Sequence, residues 1–249
     1  MLGVPQIHGG SPPEPPWQYA PRRSGAAKPQ LSREIVVAAA LRVLDAEGGY
    51  ALTMRRVADQ IGVSASSLYG YVANKEELVQ LMLERIFEEV DVPPTGGNWQ
   101  ETVKEFARAM LAAYRRHRGV AALTLGRVAV TPGLLAAGER ILAEVRSAGM
   151  PDQVAAFVRD LGGLYAGAIA SELDVAPLAR PGQESLAQFT AWMTSLPADR
   201  FPNTRELADL LAAGSIEDRF EWGLDVLVRG LASYLTEPLD PRAGWPSGR

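Results

Sequence analysis

The chain of 249 residues contains no cysteine, which excludes disulfide staples, a thiolate nucleophile and any zinc site held by sulfur. Histidine is almost as scarce. Only His8 and His117 occur, and His8 falls in a proline-rich terminus, so no metal site is expected within one chain. No apolar run approaches the ~18 residues that cross a bilayer. The N-terminus also lacks the charged start and apolar core of a secretory signal. These absences predict a cytoplasmic protein without a membrane partner. Missing too are a glycine-rich phosphate loop, a Ser-His-Asp set and paired carboxylates beside a histidine. The chain is therefore not expected to be an enzyme, and no cofactor is expected.

What is present is ordinary globular material, 47% hydrophobic and 22% charged, enough for a core without staples. The net charge of −4 is unevenly placed. Residues 1–75 hold eight Lys/Arg against five acids, a balance of +3, and the remainder carries −7. A basic end on an acidic body fits a DNA-reading segment joined to something that does not touch DNA, although an asymmetry of this size also arises by chance.

Residues 1–30 are rich in Pro and Gly and are expected to be a disordered arm. Arg22, Arg23 and Lys28 read either as a solvated basic linker or as an arm reaching phosphates or a minor groove. From Ser32 the pattern is helical. A first helix is expected over 33–47, with Val37, Ala40, Leu41 and Leu44 as its apolar stripe and Gly48-Gly49 as its end. Thr53 caps a second helix to about Gln60, with Val57, Ala58 and Ile61 facing inward. Gly62 gives a tight turn, and Ser64 caps a third helix over 65–71 whose Leu68 packs inward. Asn74 and Glu77 resemble a capping box that opens a fourth helix to about Val90, with Leu78, Leu81, Met82 and Arg85 along one face. After Pro93-Pro94 further helices are expected at 99–117, 119–127, 132–148, 151–174, 184–195, 203–212 and 216–236. Breaks fall at glycines and prolines, among them the stretch from Pro177 to Gly182. No convincing strand and no internal repeat is visible, and residues 238–249 read as a flexible tail.

Two short helices around a tight glycine turn form a helix-turn-helix, whose second helix enters the major groove. Small and polar residues at that helix's start, Ser64, Ala65, Ser66 and Ser67, let the backbone approach base edges. Tyr69 and Tyr71, flanking Gly70, can reach phosphate oxygens. Lys75 opens the next helix, where backbone amides already favour a phosphate. Thr53 and Arg55, at the start of the second helix, face the opposite backbone. Read blandly, the serines are caps and the tyrosines packing residues. For Ser64 alone, the cap is the better reading.

The run Thr53-x-Arg-x-Val-Ala-x-x-Ile-Gly-Val-Ser-x-x-Ser-Leu-Tyr-x-Tyr-Val-x-Asn-Lys-x-x-Leu78 resembles the signature of tetracycline-repressor-type (TetR/AcrR) transcription regulators over residues 32–85. The body resembles the tetracycline repressor's own C-terminal domain through His117-Arg-Gly119, Leu125-Gly126, Gly162-Gly-Leu-Tyr-x-Gly167 and the run from Arg219 to Leu231. The resemblance implies an all-α homodimer. Its domains would be a three-helix DNA-binding domain over 31–75 and a helical effector-binding and dimerisation domain over 76–237. It implies a palindromic double-stranded DNA operator and release by a small-molecule effector. The tetracycline repressor holds a drug-bound magnesium with a histidine in the segment matching Leu123 to Gly126, where this chain has Thr124. Threonine is a poor primary ligand, so a magnesium–tetracycline chelate is not the expected effector.

The helix at 216–236 carries Phe220, Leu224, Leu227, Val228, Leu231 and Leu235 at helical period. Reading a palindrome takes two heads about 34 Å apart, which favours a dimer seam here over a buried monomer helix. The 151–174 helix, through Val158 and Tyr165, is the expected second half of that seam. The helices left over supply candidate effector contacts: Phe106, Met110, Tyr114, Thr124, Arg127, Ile141, Leu164, Glu172, Phe189, Trp192 and Met193. Each also reads as plain core. Arg127 and Glu172 must pair, face water or meet a polar ligand. The leading function is a ligand-responsive repressor. The alternative is an effector-independent architectural DNA-binding protein, against which a body of about 150 residues argues.

Overall fold

The computed structural model describes residues 31–88, 90–92, 95–124, 131–179 and 183–236. Every regular element among them is helical. The head comprises α1 (Arg33–Glu47), a 3-10 turn (Gly49–Ala51), α2 (Met54–Ile61) and α3 (Ala65–Leu68). Then α4 (Lys75–Phe87) leads into the body: α5 (Trp99–Arg116), α6 (Val120–Thr124), α7 (Pro132–Ser147), α8 (Asp152–Ala179), α9 (Gln183–Ser195), α10 (Pro202–Glu206), α11 (Ala208–Ala212) and α12 (Ile216–Ser233). The arm expected at 1–30, the tail at 238–249, Arg127 and the end of the helix expected at 119–127 lie outside the described residues.

The ends of these helices follow from their caps. Thr53 Oγ1 accepts from the Arg56 amide at 3.1 Å, and Thr131 Oγ1 accepts from the Leu134 amide at 3.1 Å with Pro132 at the first helical position. Ser215 and Asp218 form a reciprocal capping box. At α4 the expected box is altered. Asn74 Oδ1 accepts from the Glu77 amide at 2.8 Å, but the Glu77 carboxylate reaches back to the Ala73 amide, one residue further than a box requires.

Three expected boundaries are corrected. The third helix ends at Leu68, and Tyr69 to Tyr71 form the turn after it. The helix expected at 203–212 is two short helices parted at Leu207, whose φ of −97° and ψ of 10° interrupt the regular helix. The break expected from Pro177 to Gly182 starts later, since α8 runs on to Ala179 before α9 opens at Gln183, and residues 180–182 lie outside the described ones.

The buried stripe of α1 is wider than expected. Val36, Ala39 and Val43 join Val37, Ala40 and Leu44, while Leu41 is only half-buried. Ile61 is likewise half-buried. On α4, Leu78 and Met82 are buried as expected, Leu81 is half-buried, Arg85 is exposed, and Val79, Leu83, Ile86 and Phe87 are buried too. The reason is that α4 packs on α1 with one side and on α5 and α6 with the other, so one face cannot serve both. The body is built round α8, which packs on α5, α6, α7 and α12. Helices α9, α10 and α11 pack chiefly on one another.

Candidate DNA interface, effector core and dimer face

Gly62 sits at φ 80° and ψ 37°, the left-handed region that favours glycine, and its amide bonds the carbonyls of Ala58 and Asp59. That turn delivers Ser64 to the start of α3. Ser64 adopts the extended backbone of a cap, yet its side chain caps nothing. Its hydroxyl instead bonds the Ser66 and Ser67 hydroxyls at 2.8 Å each. The three form a small exposed hydroxyl cluster, while Leu68 behind it is fully buried and anchors α3. Thr53, Arg55, Ser66, Ser67, Tyr69 and Gly70 are exposed, and Ala65, Tyr71 and Lys75 are half-buried. Tyr69, 55% exposed, has no core role to account for it.

Two arginines that the motif did not single out hold this surface in place. Arg33 of α1 donates to the Tyr71 carbonyl at 3.1 Å and lies 3.6 Å from Glu77, tying the start of α1 to the α3–α4 turn. Arg56 of α2 pairs with Glu47 at the end of α1, and that hydrogen bond raises its pKa. Each partner lies many residues away, so no local spacing signals it.

Head and body meet at the turn after α5. His117 Nδ1 lies 2.9 Å from Asp45 Oδ1 of α1. Gly119, at φ 82°, sits so close to the Gly48–Gly49 backbone that a Cβ there would lie 2.9 Å from the Gly49 nitrogen. The Gly119 amide also donates to Asp174 Oδ2 of α8 at 2.8 Å, and Arg118 donates to the Asp174 carbonyl. One three-residue turn therefore touches the first head helix and the central body helix.

The expected effector residues fall into two groups. Phe106, Met110, Tyr114, Ile141 and Met193 are buried, and Phe106 and Tyr114 lie against Gly162 and Gly167 of α8. Burial pushes the Tyr114 phenol above its ordinary range, a hydrogen bond to Thr124 opposing it. Thr124 also donates to the Ala121 carbonyl at 2.7 Å. The remaining candidates are elsewhere. Leu164 is 71% exposed, Phe189 and Trp192 stack on the outside of α9 at 5.8 Å, and Glu172 is already paired with Arg219. A groove of about 500 Å³ lies at the polar edge between α5 and α12, lined by Lys104, Asp225 and Arg229 and by none of the candidates.

The expected dimer residues also need correction. Val158, Phe220, Leu224 and Leu231 are buried within the single chain, where α8 packs on α12, and Tyr165 and Leu227 are half-buried. Tyr165 stacks on Phe220 at 5.4 Å and donates to the Arg219 carbonyl at 3.0 Å. The apolar side chains that the two helices turn outward are Phe157, Leu161 and Leu164 of α8 with Trp222 and Val226 of α12. The spacing of 157, 161 and 164 is one helical stripe, displaced from the buried stripe of the same helix. The sequence signal mixed the two stripes because α8 and α12 are apolar on both sides.

The profile of bacterial regulatory proteins of the tetR family matches residues 36–82, and that of the tetracyclin repressor-like C-terminal domain matches residues 92–235. The chain belongs to the tetR family. It is 32% identical over 226 residues to the HTH-type transcriptional repressor DrrR1 of Streptomyces coeruleorubidus, covering 86% of this chain and 82% of that one. The class D tetracycline repressor of Escherichia coli is 27% identical over 83% of this chain and 92% of its own length. Among solved structures, ActR of Streptomyces coelicolor in complex with actinorhodin superposes with a TM-score of 0.72 at 36% identity, covering 82% of this chain and 96% of that one. As a member of the tetR family, the chain is a DNA-binding transcriptional regulator and not one of a family of enzymes. No helix among the described residues is long and apolar enough to cross a membrane.

Proposed function

We propose that this tetR-family regulator is a homodimeric repressor that grips a palindromic operator through α3 and the residues flanking it and lets go when a small molecule enters its body. The observation that carries the reading is the exposed cluster of Ser66, Ser67 and Tyr69, held over the buried Leu68 and followed by Lys75 at the N-terminus of α4. Hydroxyls and a small methyl suit base edges, a phenol suits a phosphate, and the first turn of α4 adds amides and a helix dipole to the Lys75 charge. Response to an effector is supported by the likeness to ActR, whose structure holds actinorhodin. The turn at His117 to Gly119 offers the route, since it joins α8 to α1.

Duplexes selected from a random library give the operator, and gel shift then tests the contacts. Tyr69→Ala and Lys75→Ala each weaken binding about tenfold or more with helicity unchanged, in line with about 1.5–3 kcal/mol for a charge-assisted contact. Wild-type affinity in both variants would remove the assigned DNA face. Actinorhodin added to the wild-type complex is expected to release it.

A further inference from the structure

We propose that Arg140 of α7 is the anchor for an anionic oxygen on the effector. The inference rests on the reading that the body binds a small molecule, and it names the chemistry that molecule carries. Among the described residues, the Nη1 of Arg140 is the one buried side-chain polar atom with no hydrogen-bond partner. Arg140 is half-buried, but this nitrogen is shut away from solvent; a guanidinium cannot shed its charge by losing a proton, and a charged donor buried without an acceptor is unfavourable.

The place of Arg140 follows from the register of two helices. Glu144, one turn further along α7, accepts from the hydroxyls of Thr102 of α5 and of Thr95. Gly133, at the other end of α7, lies near the carbonyls of Phe87 and Val90, and Phe87 packs edge-on against Tyr114 near the far end of α5. The two helices therefore run antiparallel. One turn back along α7 from Glu144, at Arg140, is one turn forward along α5 from Thr102, at Phe106. Arg140 lies level with the buried Phe106 and Met110, on the side of α7 away from Gly138, against which Arg159 of α8 packs. Glu144, the acid on the same side one turn away, is already engaged by the two threonines. A half-buried arginine with one unmet donor, level with buried aromatic and apolar side chains, suits an apolar ring system bearing one carboxylate, sulfonate or ionised phenol.

The test uses two fluorescent probes with one ring framework. 8-Anilinonaphthalene-1-sulfonate carries an anion, and N-phenyl-1-naphthylamine carries none. Each is titrated into the full chain as wild type, Arg140→Met and Arg140→Lys. The sulfonate binds Arg140→Met at least about tenfold more weakly than wild type, the charge of Arg140→Lys restores part of the loss, and the neutral amine binds all three alike. Because methionine keeps most of the volume and removes the unmet charge, the melting temperature of Arg140→Met does not fall. The exposed aromatic faces of α8 and α9 take up both probes without regard to Arg140, so the difference between variants isolates the site. Unchanged sulfonate affinity in Arg140→Met, or equal weakening of both probes, overturns the proposal. No DNA enters the titration. Its failure alongside effector-driven operator release would sink this inference alone, and its success without such release would sink the effector reading alone.

Discussion

At the scale of single residues, glycine carries more of this structure than its place in the family motif implies. A Cβ on Gly223 of α12 would lie 2.0 Å from the Tyr165 hydroxyl and 2.6 Å from its ring. Tyr165 cannot simply swing aside, because it is stacked on Phe220 and bonded to the Arg219 carbonyl. Gly223→Ala should cost about 1–3 kcal/mol of stability, read as a lower midpoint in urea unfolding, by forcing that ring out of place. In the Tyr165→Phe background, which removes the clashing oxygen, the same change should cost less. Equal losses in both backgrounds would show that the contact does not limit packing. In the sequence Gly223 is one more small residue on an apolar helix. No local spacing names Tyr165, 58 positions earlier, as the group that fills the space.

At the scale of elements, charged side chains fasten α12 to α5. Arg108 bonds Glu221 at 2.7 Å and 3.0 Å and also reaches Glu101 and Glu105, and Lys104 pairs with Asp225. The Arg108 hydrogen bond holds the Glu221 carboxyl below its ordinary 4.5, burial opposing, and Lys104 holds Asp225 below its ordinary 3.8. A carboxylate whose folded pKa is depressed adds stability that is complete above its unfolded pKa and is lost as pH falls through its folded one. Thermal stability should therefore hold from pH 7 to about pH 5 and decline below about pH 4.5 as α12 loosens. Arg108→Met should be less stable at pH 7 and should decline less steeply in acid. A parallel decline in the two proteins would locate the acid sensitivity elsewhere. The spacing of Arg108 and Glu101 on α5 was open to inspection in the sequence. The link to Glu221, 113 residues away, required the fold.

At the scale of the whole molecule, packing decides which apolar stripe is core and which is left for a partner. Phe157, Leu161, Leu164, Trp222 and Val226 form an exposed face on the two helices whose other stripes are buried. Exposed large apolar side chains gathered on two neighbouring helices mark an interaction surface, and a palindromic site calls for two copies of the head. Leu164→Glu combined with Trp222→Glu should sediment as a monomer and lose tight binding to a palindromic duplex, while keeping its helicity. A double variant that still sediments as a dimer would move the seam to another face.

The local chemistry of the chain settled much by itself. Thr53, Gly62, Asn74 and the run of small residues after Ser64 act over four or five positions, so their spacing alone specified the helix-turn-helix, and periodicity specified the all-helical body. Absent cysteine and scarce histidine narrowed the chemistry in the same way. Tertiary structure decided what depends on distant partners. Helices apolar on more than one side leave their orientation open until their neighbours are placed, which is why α4 buries more positions than one stripe predicts while α8 and α12 each bury one apolar stripe and expose another. The same holds for the contact of His117 with Asp45 and for Tyr165 across Gly223. Each arises where segments far apart in sequence come within a few ångströms, and no local spacing records that distance.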